Sequence, residues 1–158
     1  MFRRILIPVD GSRSSGSVVP VAAELAKRLE CQVDMLLVQP ENGARLPHPD
    51  HHRSAQPSDD DSEATEVEAS SPEEARKANK RYVGRHVEEF EALGVEASGH
   101  VRYGEPVEEI LRAALDLRCD MIAMATRHRG RFARPDSSSV AEEVLWRSRL
   151  PVLLIAEG

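Results

Sequence analysis

Aromatic side chains are scarce in this 158-residue chain: three phenylalanines, two tyrosines and one tryptophan, 4% in all. Stacking platforms for single-stranded nucleic acid are therefore missing. Cysteine is scarcer still. Cys31 and Cys119 form no CxxC pair and no disulfide framework. No apolar run approaches the roughly 18 residues of a membrane span. The opening MFRRILIPVDGS has basic flanks, but its apolar run ends at Pro8–Val9 and Asp10 follows, which is too short for the core of a signal peptide. Together these absences lead to the expectation of a cytoplasmic protein with reduced thiols, no membrane partner and no nucleic-acid partner.

Charge is present but unevenly placed. The formal net charge is −6. Residues 41–72 hold eight acids (Glu41, Asp50, Asp59, Asp60, Asp61, Glu63, Glu66, Glu68) against Arg45 and Arg53. Outside that segment nineteen acids balance nineteen bases, so the rest of the chain is neutral and has no general pull on DNA phosphates. The length suits one domain, large enough to bury roughly two-thirds of its unfolded surface without disulfide staples.

Two patterned blocks flank the acidic segment. In the first, Ile5-Leu6-Ile7-Pro8-Val9 reads as a buried strand ended by Asp10-Gly11-Ser12. Val18, Ala22, Leu25 and Leu29 then recur at helical spacing, with Pro20 tolerated in the first turn. A second apolar run, Val33–Val38, is interrupted by Asp34, which is expected to face solvent or the acidic segment. Residues 41–72 have no periodicity and are rich in Pro, Ser and acid, so they are expected to be a disordered insertion. Ser71-Pro72-Glu73-Glu74 marks a helix start: an N-cap serine, a proline at the first helical position and a glutamate two residues on. Ala75, Ala78, Tyr82, Val83, Val87, Phe90 and Leu93 make its apolar stripe and Gly94 its C-cap.

The second block repeats the rhythm. A weaker strand spans Val95–Val101, and Gly104-Glu105-Pro106 opens a helix carrying Val107, Ile110, Leu111 and Ala114. Met121–Ala125 is a strand, followed by an arginine-rich loop to Ser138. A helix follows with Val140, Val144, Leu145 and Ser148 expected to face inward; Trp146, near the last strand, could serve an interface but is expected at the core edge, where a single aromatic on a helix usually sits. Val152–Ile155 is the last strand. Cys31 and Cys119 begin strands and read as small packing residues.

Strands alternating with helices, and apolar on both faces, predict an α/β fold. It is an open, doubly wound, five-stranded parallel sheet covered on both sides, one domain over 1–158. In such sheets ligands bind beyond the carboxyl ends of the strands at the switch point. With strand order 3-2-1-4-5 that point lies between strands one and four, beside Asp10–Ser12 and Thr126–Ser139.

The opening RRILIPVDGS, the VRYGEPVEEIL around Gly104 and the closing DMIAMATRHRGRFARPDSSSVAEEVLWRSRLPVLLI resemble the universal stress protein family over nearly the whole chain except 41–72. That resemblance implies an adenine-nucleotide site in which Asp10, with Gly11 and Ser12, holds the adenosine and the backbone at Val38 meets the adenine. It also implies a phosphate cradle after the fourth strand: Gly, two residues, Gly, nine residues, Gly, then Ser or Thr. Here Ala125, His128 and Ser138 stand at the glycine positions, while Gly130 and Ser139 are kept. Glycine serves there because the backbone must lie against phosphate oxygens. Arg127, Arg129, Arg131 and Arg134 crowd the same loop and could grip phosphate through their side chains; Thr126 and Val140 bound it. The resemblance further implies a homodimer paired through Val152, Leu153, Leu154 and Ile155, an apolar edge that needs covering.

Each residue also has a purely structural reading. Asp10 suits the cap of a tight turn, Ser139 with Glu142 forms a capping box, and an arginine-rich loop is ordinarily a solvated surface. His48, His51 and His52 fit no closed zinc site, so no metal is expected. No nucleophile with an ordered base and no GxxxxGK[ST] loop occurs. Two functions follow. One is a non-enzymatic regulatory homodimer with a degraded nucleotide site and no certain cofactor. The other is a binder of ATP or another adenine nucleotide, with slow hydrolysis, that uses the arginine-rich loop.

Overall fold

The structure, a computed structural model, describes residues 1–11, 18–41, 71–126 and 139–156. The sequence reading of residues 42–70, with the histidines at 48, 51 and 52, lies outside them. Nine elements follow in order: β1 (Arg4–Val9), α1 (Val18–Leu29), β2 (Gln32–Gln39), α2 (Pro72–Ala92), β3 (Ala97–Tyr103), α3 (Pro106–Asp116), β4 (Met121–Thr126), α4 (Val140–Arg147) and β5 (Val152–Ala156). The strands form one parallel sheet in the order β3-β2-β1-β4-β5.

Alternation along the central strands divides the core in two. Ile5, Ile7, Val33, Met35 and Leu37 point to one side and pack under α1 and α2. Leu6, Leu36, Val38, Ile122 and Met124 point to the other, under α3 and α4. Period-two alternation with both faces apolar is what a sheet covered on both sides requires.

The helix ends obey the local signals. Ser71 accepts from the Glu74 backbone N–H, and Pro72 stands in the first turn. At the other end Gly94 takes φ +78 and donates to Glu91 O, while Val95 N–H reaches back to Phe90 O, a Schellman closure. Glu105 caps α3, its carboxylate accepting from Glu108 N–H at 2.8 Å.

Four expectations are corrected. Asp34 does not face solvent: it is wholly buried at the amino-terminal half of β2. Arg4 Nε and Nη2 donate to its two oxygens at 2.9 Å each, His100 Nε2 lies 2.9 Å from Oδ1, and the Cys119 thiol stands 4.0 Å from Oδ2. The charge is thus gathered by strands on either side of β2 rather than released to water. On α4 the inward pair is Ala141 and Val144, whereas Val140 and Leu145 are 40% and 42% exposed. Trp146 is 84% exposed, not at the core edge. On α2 the apolar stripe buries fully only at Val83 and Phe90, because the helix covers the outer strand β3. There Gly99 lets it close in: a Cβ at 99 would lie 2.4 Å from Val83 Cγ1.

Candidate functional site

The switch point lies where β1 and β4 meet. Their partner pairs are Ile5 with Met121 and Leu6 with Ile122, near the amino ends. In contrast, β1 pairs with β2 as far as Val9 with Leu37, and β4 with β5 as far as Thr126 with Ala156. Chain reversal in opposite directions from β1 and β4 leaves a crevice at their carboxyl ends.

The first wall follows from β1. Asp10 is exposed and Gly11 takes φ +85. A Cβ at Gly11 would meet Gln39 Nε2 at 3.6 Å and Leu37 Cδ1 at 3.9 Å, ordinary contact distances, so backbone conformation rather than space calls for glycine there. Val38 buries its side chain in the core under α3, which leaves its backbone as the part that could face a base. Across the crevice, Ala125 and Thr126 are half-buried at the end of β4, and Ser139 begins α4 with Val140 exposed beside it. Ser12, Arg127, His128, Arg129, Gly130 and Ser138 lie outside the described residues.

Sequence reasoning missed Gln39 at this edge and read Gly104 only as the opening of a helix. Gln39 reaches over Gly11, and its carbonyl accepts from Gly104 N–H at 2.9 Å. Gly104 sits at φ +143, and a Cβ there would lie 3.1 Å from Glu109 Cγ. Gln39 is the last residue of a strand, and its polar side chain after an apolar run was the available signal.

Of the helices that begin at this edge, α3 and α4 are closed by their own side chains. Ser139 Oγ accepts from Glu142 N–H at 3.1 Å while Glu142 Oε2 accepts from Ser139 N–H at 3.3 Å, a complete capping box. Glu142 and Glu143 occupy the first turn of α4, and Glu108 and Glu109 that of α3. Arg147 bonds Glu108 and also pairs with Glu143 at 3.1 Å, and its hydrogen bond holds the Glu108 carboxyl below the ordinary carboxylate range. Arg102 is taken up by Asp116 at 2.8 Å and, at 3.8 Å, by Glu109. Carboxylates near a helix N-terminus satisfy the dipole that would otherwise favour a bound anion. Among the described residues no group of three His, Cys, Asp or Glu side chains could hold a metal ion, and no helix is long and apolar enough to cross a membrane.

Comparison with known proteins bears on this arrangement. The profile of the universal stress protein family matches residues 1–156. No curated protein sequence is similar enough to count as a match. Solved structures with the same fold include a universal stress family protein from Burkholderia pseudomallei, at 20% identity and TM-score 0.65, covering 98% of this chain and 96% of that one. A second is the Archaeoglobus fulgidus universal stress protein in complex with dAMP, at 20% identity and TM-score 0.61, covering 98% and 97%. A third is an Arabidopsis thaliana universal stress family protein with AMP bound, at 15% identity and TM-score 0.64, covering 99% and 92%.

Proposed function

Because the chain belongs to the universal stress protein family, we propose that it acts as a non-enzymatic, cytoplasmic regulatory homodimer whose crevice between β1 and β4 is reduced as an adenine-nucleotide site. One observation carries this reading. The N-terminus of α4, where phosphates would have to be received, is already closed by the Ser139–Glu142 capping box, with a second carboxylate at Glu143. A phosphate arriving there must break the Glu142 bond and approach two like charges. The residues Ala125, His128 and Ser138 at the cradle's glycine positions point the same way.

A second reading keeps the nucleoside half. Exposed Asp10 beside Gly11 at φ +85, with Val38 on the neighbouring strand, supports contact with a ribose and a base. The dAMP and AMP complexes of the two structures compared above support it as well. Titration calorimetry with adenosine, AMP and ATP, with and without magnesium, separates the two. Against the nucleoside reading, which expects equal binding of adenosine and ATP, weakened by Asp10→Ala, the reduced-site reading expects no binding of either at millimolar concentration. ATP binding at least tenfold tighter than adenosine overturns it in favour of a working phosphate cradle. The edge of β5, apolar and paired on one side only to β4, supports the homodimer.

A further inference from the structure

We propose that the free edge of β3 takes up an extended, acidic segment of a partner protein as an added strand. This contact is separate from the crevice and from β5, which lies at the opposite edge of the sheet.

The backbone of β3 sets the frame. Glu96 O accepts from Val33 N–H and Gly104 N–H donates to Gln39 O, both toward β2. Backbone groups alternate between the two sides of a strand, so the N–H and C=O groups of Ala97, Gly99, Val101 and Tyr103 face outward. Since β3 ends the sheet, these four have no backbone partner among the described residues. Such a row is a template for a further strand.

The helix above leaves room for one. A trough of about 420 Å³ opens between α2 and β3, lined by Lys80, Val83, Gly84, Val87, Gly99 and Val101. Two absent side chains shape it. Gly99 lets Val83 close onto the strand, while a Cβ at Gly84 would meet nothing within 4 Å. A strand added to β3 stands about 4.8 Å away and sends every second side chain to the α2 side of the sheet. The space at Gly84 suits one apolar side chain of that row, against Val87 and Val101.

The chemistry of the trough selects its occupant. An acyl chain would cover the outward N–H and C=O groups of Gly99 and Val101 without pairing them, whereas an extended peptide pairs them. Charge narrows the choice further. Residues 75–87 carry five bases and no acid. Glu73 takes up Lys77 at 3.1 Å and Arg76 lies over the Tyr103 ring, but Lys80, in the wall of the trough, has no acid partner among the described residues. Lys80 precedes Gly84 by four helical residues, about 6 Å, and two strand residues span about 6.6 Å. An acid two positions from the apolar residue therefore meets Lys80.

The probe is the fluorescein-labelled peptide Ser-Thr-Val-Thr-Glu-Thr-Ser, followed by anisotropy and by amide hydrogen exchange of the full chain. Saturable binding is expected with a dissociation constant below about 1 mM, as suits a small interface. Exchange at Gly99, Val101 and Tyr103 should slow about tenfold, with Ser98, His100 and Arg102 unchanged. Gly84→Leu fills the trough from open space on α2 and should weaken binding about tenfold or more, with circular dichroism unchanged. Lys80→Glu should weaken it about fivefold and strengthen binding of the peptide with lysine in place of glutamate by about as much. Absence of binding, equal binding of a fully N-methylated peptide, or indifference to Gly84→Leu overturns the proposal. Displacement by dodecanoate with no protection of the edge amides assigns the trough to an acyl chain and overturns it too. Protection of those amides that grows with protein concentration without peptide assigns the edge to a second copy, which overturns the partner segment.

Discussion

Replacing Arg4 with methionine tests how the Asp34 charge is carried. The substitution keeps the stem and removes the guanidinium, whose Nε and Nη2 each donate to the carboxylate at 2.9 Å. Asp34 is completely buried, so what remains is a buried anion with one imidazole at 2.9 Å and a thiol at 4.0 Å. Removing one member of a buried ion pair costs about 3–5 kcal/mol. Two features pull the figure down: the Arg4 side chain is 35% exposed, so water can enter where the guanidinium stood, and His100 still bonds Oδ1. The expected loss is about 2–3 kcal/mol, against a total stability of about 5–15 kcal/mol for a domain of this kind. Asp34→Leu is expected to cost less, about 1 kcal/mol, because the freed arginine can turn into solvent. The double variant Arg4→Met/Asp34→Leu is expected within about 1 kcal/mol of wild type, since two well-packed apolar groups often replace an ion pair without loss. Urea unfolding followed by far-ultraviolet circular dichroism gives all four corners of the cycle. Protein concentration must be held constant, so that any self-association would contribute equally to all four. A loss below about 0.5 kcal/mol for Arg4→Met, or an equal loss for Asp34→Leu, refutes the view that the burial of the anion sets the cost.

Three further outcomes follow from the same physics. Burial, and after it the nearby Asp34 carboxylate, pushes the Cys119 thiol up to about 11, and burial also raises Cys31; a thiol reagent at pH 8 should therefore label neither cysteine in the folded protein and both in urea. Asp120 accepts from the backbone N–H groups of Arg3 and Arg4 at 2.7 and 3.0 Å, which lowers its carboxyl below the ordinary range. Its contribution is present above the unfolded value and is lost as pH falls through the folded one, so Asp120→Asn should cost about 0.5–1 kcal/mol at neutral pH, with the difference from wild type closing toward pH 3 in acid-unfolding curves. Gly99→Ala should destabilise by about 1–3 kcal/mol because its Cβ would collide with Val83, while Gly84→Ala, in open space on α2, should stabilise by about 0.5–1 kcal/mol in thermal melts.

What could be read in advance was what is local. The capping box at Ser139, the Ser71-Pro72 helix start and the Gly94 stop are written within a few residues each, and the structure forms all three. Alternation of apolar runs with helical spacing was enough for a parallel sheet covered on both sides, and the strand order assumed for it, 3-2-1-4-5, is the one the structure has. The buried Asp34 was not legible, because its partners stand 30 and 66 residues away along the chain and nothing near it distinguishes a paired aspartate from an exposed one. The facing of α4 was misread for a different reason. With eight residues the helix has little more than two turns, and Val140, Val144 and Leu145 fit an inward arc as well as Ala141 and Val144 do. Only the position of α3 on one flank, held through Arg147 and Glu108, decides which arc is turned in.

That short helix is also where the two halves of the proposed function meet. Its first turn borders the crevice and its inner face covers β4 and β5. At its start Ser139 Oγ accepts from Glu142 N–H and the Glu142 carboxylate accepts from Ser139 N–H, while Glu143 pairs with Arg147. An N-cap serine of this kind stabilises a helix by about 0.5–2 kcal/mol. An anion displacing the Glu142 carboxylate would lose its bond to Ser139 N–H before gaining its own contacts. The start of the helix is thus held by its own side chains. Under the proposed reduced site, such a start has no need of glycine at 125, 128 and 138, and the replacements there and the self-sufficient cap on α4 follow from the same change.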